Sequence, residues 1–444
     1  MLDIKFIRAF PDKVKYAVRV RKAKTDVDEI LKLDDQRLEM LSHVESHRAL
    51  RNSLSEQVSK TKVAKERAEL IKEALRLKIE LKKFENDLKI LEGKLNEKLL
   101  YLPNIPCSNM PIGDGPDDNV ELAVWTPLDG YLPKKKLGKG NSAAKYMPEA
   151  NFKMKDHIEL GKMHDMIDVE QSAITSGSRF CYLKNDAVLL QDALASLLKK
   201  KLVSEGFVPM MVPLLVKDRV LVGTSHFPEG RDQVYKIESD NVENRENLYL
   251  VGSSEPPLFA YFMDRTVSKM ELPYKMFALT SCFRSEVGSW GKDVYGIKRV
   301  HQFDKLEMDV VTIPETSDET MEYLREINEW FLQQLQLPYR VLNKCSADAG
   351  YLASHKQYDA EVWLPSQREF MEVMTDTNAT DFQARRLNIR FKDGGSTRYA
   401  HTVNDTGCAM GRMIISILDN YQKEDGTIKV PEALQKLMGK KEIS

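Results

Sequence analysis

The chain has 444 residues, 42% hydrophobic and 30% charged, with 66 basic and 67 acidic residues for a formal net charge of −1. That length holds two or three domains with one large enzymatic core. The charge balance excludes a global basic field, so any nucleic-acid partner must be met by a local patch.

Five scattered cysteines (Cys107, Cys181, Cys282, Cys345 and Cys408) contain no Cys-x-x-Cys pair. This argues against a disulfide framework or a cysteine zinc site and for a reducing compartment. The opening Met-Leu-Asp-Ile-Lys lacks an apolar secretory segment, and no run nears the roughly 18 apolar residues of a membrane span. The expected location is the cytosol, with no membrane partner.

Residues 1–102 are rich in Leu, Lys and Glu, with no proline after Pro11 and one glycine, Gly93. Leu77, Leu81, Phe84, Leu88, Leu91, Leu95 and Leu102 follow alternating steps of four and three, broken only before Leu102, which is a coiled-coil seam. Ile30, Leu33, Met40, Val44, Leu54 and Val58 repeat it less cleanly, interrupted by Arg37, His47 and Arg51. Two helices joined near residues 60–68 predict an antiparallel hairpin, each about 50 Å long at 1.5 Å per residue. Between Ser59 and Lys83, nine Lys and Arg stand against Glu66, Glu69, Glu73 and Glu80, leaving +5. Such a run is either a solvated helix face or a phosphate-tracking arm for RNA.

Residues 103–150 are rich in Pro and Gly and read as a linker and irregular lead-in. Residues 151–444 alternate helical stretches with short β-rich runs at Leu248–Val251, Tyr274–Phe277, Arg299–Phe303 and Tyr399–Val403. Helical crossovers between every pair of strands are lacking, which predicts an α+β body on an antiparallel sheet rather than a doubly wound fold. There is no Walker loop and no Gly-x-Gly-x-x-Gly, so any ATP is held by side chains.

Arg284 and Glu286 stand two apart and, on a strand, would share a face. An arginine and a glutamate so placed suit a phosphate and a base amino group. A hairpin would return Arg299 to Phe303, then Glu307, beside them. Glu372 and Arg412 suit a metal and a phosphate. Each residue also has an ordinary reading, as surface charge or, for Phe303, as core.

These segments resemble the three motifs of class II aminoacyl-tRNA synthetases, most closely the bacterial-type seryl-tRNA synthetases. Motif 1 resembles Gly206 to Pro209 through Val212 to Leu214, motif 2 the stretch Cys282–Glu286 to His301–Lys305, and motif 3 Gly411-Arg412 and the helix after it. Lys155-Asp156-His157, Ser176 to Phe180, Asp381 to Arg386 and Glu424 to Thr427 are similar to the seryl type in particular. The likeness runs nearly end to end. It implies a class II antiparallel-sheet core at 151–444, an N-terminal tRNA-binding domain at 1–102 with its helical hairpin, and a homodimer built on motif 1.

The activity it implies is adenylation of L-serine by ATP with Mg²⁺, then transfer to the 3′ end of tRNA(Ser), with tRNA(Sec) also charged in the family. Arg284 would hold the α-phosphate, Glu286 the adenine amino group and Arg412 the γ-phosphate. Phe303 would stack on adenine, and Glu372 with Thr375 would hold Mg²⁺. Ser285 and Val300 complete the implied ATP site. Ser253, Ser254, Glu255, Arg284, Glu307, Asn404 and Thr406 form the implied serine site. Lys60, Lys62, Lys65, Arg67, Lys72 and Arg76 are the implied tRNA contacts.

Several positions depart from the family pattern: Ser253, Thr375, Asp376, Asp405, Cys408, and Val294-Tyr295 in the motif 2 loop. Asp376 is expected to add a carboxylate near the metal site. The alternatives are a paralogue that adenylates serine or another small amino acid for a non-tRNA acceptor, and a non-catalytic homologue. The basic hairpin speaks against the first. Retention of Arg284, Glu286, Glu307, Glu372 and Arg412 speaks against the second.

Overall fold

A computed structural model describes residues 1–238, 247–288, 296–350 and 352–444. The chain forms two compact units, Leu2–Pro103, and Asn104–Ser444 with Met1.

The first unit contains α1 (Ile4–Ala9), α2 (Pro11–Val20), α3 (Val27–Lys60) and α4 (Ala64–Leu100). Pro11 opens α2, where its missing N–H costs nothing. Asp26 caps α3 by accepting from the Asp28 N–H at 2.8 Å. Helices α3 and α4 have 34 and 37 residues, about 50 and 55 Å of helix. Only residues 61–63 join them, so they run antiparallel, and Arg48–Glu85 and Lys98–Glu29 pair across the hairpin at 2.7 and 2.8 Å.

Val44, Leu81 and Leu88 form the seam, with Met40, Leu41 and Phe84 packed on it. His47 does not break the stripe, because its ring lies 4.7 Å from that of Phe84. Arg37 turns to Asp34, a buried carboxylate that also accepts from Arg8. Beyond residue 50 the seam opens, and Leu50, Ile71, Leu75 and Ile79 are exposed.

The second unit is built on a nine-stranded sheet: β1 (Val120–Thr126), β2 (Gly130–Tyr131), β3 (Val208–Pro209), β4 (Tyr274–Phe283), β5 (Gln302–Thr312), β6 (Tyr339–Asn343), β7 (Lys356–Leu364), β8 (Glu369–Thr380) and β9 (His401–Ala409). The order is β2-β1-β6-β7-β8-β9-β5-β4-β3. Every pairing is antiparallel except β3 with β4. This is the antiparallel α+β sheet expected from the sequence. Residues 103–150 are more than a lead-in, since they supply β1 and β2. The alternation in Val120–Thr126 is short and is masked by the prolines and glycines around it. The run Arg299–Phe303 becomes strand only from Gln302. Tyr399–Val403 is split between a small sheet ending at Tyr399 and β9 starting at His401.

Strand alternation sorts the sheet's two faces. On β5, Leu306, Met308 and Val310 enter the main core with Leu190, Leu194 and Leu198 of the helix Asp186–Ser204 and Leu324, Ile327 and Phe331 of the helix Ser317–Gln334. The alternate residues, Glu307 and Asp309, face the opposite side. Burying that much polar surface on one face of a central strand is a cost that only a site explains.

Candidate active site

The ladder between β4 and β5 closes at Phe283 opposite Gln302. Arg284, Ser285 and Glu286 therefore lie past the strand end, and the same-face argument from strand geometry does not apply to them. The turn achieves the convergence instead. Glu286 adopts a positive φ of 49°, and Arg284 donates its backbone N–H to the carbonyl of His301 at 2.9 Å. Arg284 Nε donates to the Gly252 carbonyl at 3.1 Å, and its guanidinium sits 5.3 Å from the centre of the Phe303 ring. Arg299 reaches Glu286 at 3.6 Å. Arg284, Glu286, Val300 and Phe303 line one cleft, while Ser285 turns away to the Asp232 carbonyl. Val294 and Tyr295 fall outside the described residues.

The opposite wall comes from β8 and the helix Met410–Tyr421. Register shifts between β7 and β8 at Ala360/Glu361; this bulge puts Glu372, Val373 and Thr375 all on the cleft. Arg412 donates to the Glu372 carbonyl and carboxylate at 2.9 and 3.0 Å. A side chain at Gly411 would place Cβ 2.9 Å from the Ile297 carbonyl oxygen, so glycine lets this helix approach the wall. Burial works to raise the Glu372 carboxyl, but Arg412, Lys344, Arg284 and Arg299 hold it below the ordinary range. Thr375 Oγ1 donates to Asp359 at 2.9 Å and lies 3.4 Å from Glu372. Glu372 and Thr375 offer hard oxygen donors to the cleft, which fits Mg²⁺ held by one carboxylate and completed by phosphate and water, whereas Asp359 is buried and paired with Lys344 at 2.8 Å.

Asp376 does not join this set. It stands opposite Asp405 in the β8–β9 register, on the helix side of the sheet, because it alternates with Thr375 and Thr377, which line the cleft. The extra carboxylate expected at the metal site is thus behind the sheet, buried with Asp405, which accepts from Asn328 at 2.7 and 2.8 Å.

The inner end of the cleft is acidic. Glu307 and Thr406 are directly paired on β5 and β9, with Thr406 Oγ1 3.4 Å from the Glu307 carboxylate. Lys305 forms an ion pair with Glu307, and both are buried. Burial raises Glu307 and the Lys305 ammonium opposes this, while Glu307 keeps Lys305 protonated despite its burial. Glu255 begins a short helix whose next two residues are prolines. Its carboxyl accepts from Gln383 at 2.7 Å, and Gln383 accepts in turn from Thr402 at 2.7 Å. Burial, with Glu307 adding to it, pushes Glu255 up to about 7. Burial and nearby Arg284 and Lys305 lower His226, 3.9 Å from Glu255, to about 3, so that ring is neutral. Ser253 and Asn404 line this end, but Ser254 is fully buried and does not.

One cleft thus joins buried carboxylates to a rim of arginines. The first suit an ammonium and a hydroxyl, the second a polyphosphate. The family model for the class II tRNA synthetase core (G, H, P, S and T) matches residues 235–421, and the seryl-tRNA synthetase N-terminal domain matches residues 1–106. The serine–tRNA ligase of Staphylococcus haemolyticus is 39% identical over 99% of this chain and 98% of its own length. The chain belongs to the seryl-tRNA synthetase family. The serine–tRNA ligase of Dictyoglomus turgidum is 37% identical, over 100% of this chain and 99% of its own. The crystal structure of seryl-tRNA synthetase from Pyrococcus horikoshii complexed with ATP matches with a TM-score of 0.88 and 36% identity, covering 100% and 99% of the two chains.

The class II core match, 235–421, contains every cleft residue from Ser253 to Arg412. In this chain, sequence reasoning placed Arg299 beside Arg284 and Glu286 but missed Lys298, Lys305, Gln357 and Thr377 as cleft residues. Lys305 was legible as the residue two before Glu307 on one strand. Gln357 and Thr377 were not, because only the pairing of β7, β8 and β9 brings them forward.

Proposed function

We propose that this chain activates L-serine with ATP in the cleft and transfers it to tRNA. Membership of the seryl-tRNA synthetase family supports the reaction. The observation that carries the residue assignment is the joining of buried Glu255 and Glu307 to Arg284 and Arg412 in one cleft.

In this reading Glu307 receives the serine ammonium, with Thr406 and Glu255 on its hydroxyl side. A site that hydrogen-bonds the hydroxyl rejects alanine, which would leave buried polar groups unpaired. Phe303 carries the adenine ring and Glu286 accepts from its amino group. Arg284 holds the α-phosphate as the serine carboxylate attacks phosphorus and the P–O bond to pyrophosphate breaks. Arg412 holds the γ-phosphate. The reaction needs positioning and charge neutralisation rather than a general base, since the carboxylate is already a nucleophile. Glu372, with Thr375 beside it, would hold Mg²⁺, which supplies neutralisation of phosphate charge when bound. In the second step the terminal ribose hydroxyl of tRNA attacks the seryl carbonyl and AMP leaves.

Residues 1–102 serve as the tRNA-binding domain, and 151–444 as the catalytic domain. Lys60, Lys62, Lys65, Arg67, Lys72 and Arg76 are all exposed and act as its phosphate contacts. Homodimerisation, charging of tRNA(Sec) and a cytoplasmic location belong to the same reading. No helix among the described residues is long and apolar enough to cross a membrane.

The test is charging of tRNA(Ser) with labelled serine, ATP and Mg²⁺. We expect label in a tRNA ester that mild base releases. Serine adenylation without charging would overturn the tRNA assignment in favour of another acceptor.

A further inference from the structure

Residues 133–155 hold seven lysines and one acid, Glu149, leaving +6, against the +5 of the slightly longer arm segment. Lys134, Lys135, Lys136, Lys139, Lys145 and Lys153 are exposed. Glu149 is paired with Arg368 at 3.1 Å. Of the six lysines, only Lys139 has a carboxylate partner among the described residues, Asp118 at 3.5 Å. Lys136 and Lys145 flank the Tyr146 ring at 4.7 and 5.0 Å from its centre.

The scaffold beneath is built rather than loose. Buried Glu121 accepts from the Gly138 N–H at 2.9 Å, the Ser142 hydroxyl at 2.6 Å and the Ala143 N–H at 2.9 Å. Arg340 donates to the Gly140 carbonyl at 2.6 Å. Leu132, Ala143 and Met147 pack on Val124 and Trp363. A buried carboxylate and a small core therefore fix the backbone that carries these mutually repelling lysines. One lysine suffices to blunt the free edge of the sheet at β2, and β2 is already only two residues long. A cluster of lysines on a fixed backbone, two of them flanking the Tyr146 ring, instead fits a polyanion backbone.

We propose that this lysine ridge is a second RNA-contact surface, carried by the catalytic unit and binding the phosphate backbone of the tRNA. It rests on the reading that tRNA is the acceptor. Double-stranded RNA is recognised largely through backbone and shape, which suits lysines without base-reading partners.

The experiment uses the full-length protein and the triple variant Lys134→Ala/Lys135→Ala/Lys136→Ala, with the pair Lys139→Ala/Lys145→Ala as a second variant. Binding of tRNA(Ser) is titrated against salt, and serine-dependent pyrophosphate exchange is measured beside it. For the triple variant we expect weaker tRNA binding and a slope of log K on log salt shallower by about two to three, because each phosphate that a lysine neutralises adds about 0.9 to that slope. Exchange should stay at the wild-type rate. An unchanged slope and affinity in both variants overturns the proposal, as does a parallel loss of exchange, which would give the lysines a role in the fold. Lysine-dependent binding to anionic phosphatidylserine vesicles with an unchanged tRNA slope overturns it in favour of a lipid surface. If the wild type fails to charge tRNA with serine, the functional reading falls, while the difference in RNA salt slope is still readable by itself.

Discussion

At the residue scale, the acid at the inner end of the cleft carries a pH signature. Glu255 is pushed up to about 7 by burial and by Glu307. Below that pH it is neutral and above it ionised. The serine ammonium received by neighbouring Glu307 offsets the repulsion between the two carboxylates and so favours ionised Glu255, and serine affinity should rise as pH passes upward through 7. Calorimetric titration with serine alone should show about a three- to tenfold loss from pH 7.5 to 6.0, given one unit per tenfold change in protonation. Glu255→Gln should flatten that profile, and a profile unchanged by the substitution would remove Glu255 from substrate binding. Arg284, Glu307, Glu372 and Arg412 all line the cleft; by type alone each reads equally as surface charge, and it was the resemblance to the class II motifs that singled them out. Asp376 was misplaced for a definite reason. Counting from Glu372 gives its distance along the strand but not the bulge at Ala360/Glu361, and the strand's alternation then decides which face it takes.

At the scale of elements, the hairpin was legible because its period is long and repeats many times. Helix α4 buries Leu81, Leu88 and Leu95 as the four–three steps require. The interruptions at Arg37 and His47 resolved into local partners, a buried aspartate and an aromatic ring, which spacing alone does not reveal. Strands were harder. Alternation on β8 is broken by the irregularity opposite Ala360/Glu361, and β1 was hidden among prolines. The outer half of the hairpin exposes both its apolar residues and its cations, so its surface is free to meet a large partner. Replacing Lys60, Lys62, Lys65, Arg67, Lys72 and Arg76 with alanine should raise the Michaelis constant for tRNA tenfold or more, at about 0.2–0.5 kcal/mol or more for each exposed phosphate contact. Serine-dependent pyrophosphate exchange should persist. Collapse of exchange would show that the arm and the catalytic unit do not divide the work.

At the scale of the whole molecule, the proposed reading divides the work between the two units along the line that separates the two family models, 1–106 and 235–421. The body holds the acids and arginines that small substrates need, and the arm is a basic helical surface of roughly 50 Å. On the proposed reading the cleft selects serine despite the departures at Ser253, Thr375 and Asp405. Of these, Ser253 keeps a hydroxyl at the cleft, Thr375 keeps one beside Glu372, and Asp405 faces away from the cleft toward Asn328. None of the three removes a group from the serine pocket. The most direct measurement is ATP–pyrophosphate exchange by the purified protein with Mg²⁺ across the twenty amino acids. We expect exchange with serine alone; exchange driven by a different amino acid, or none with serine, would contradict that selectivity.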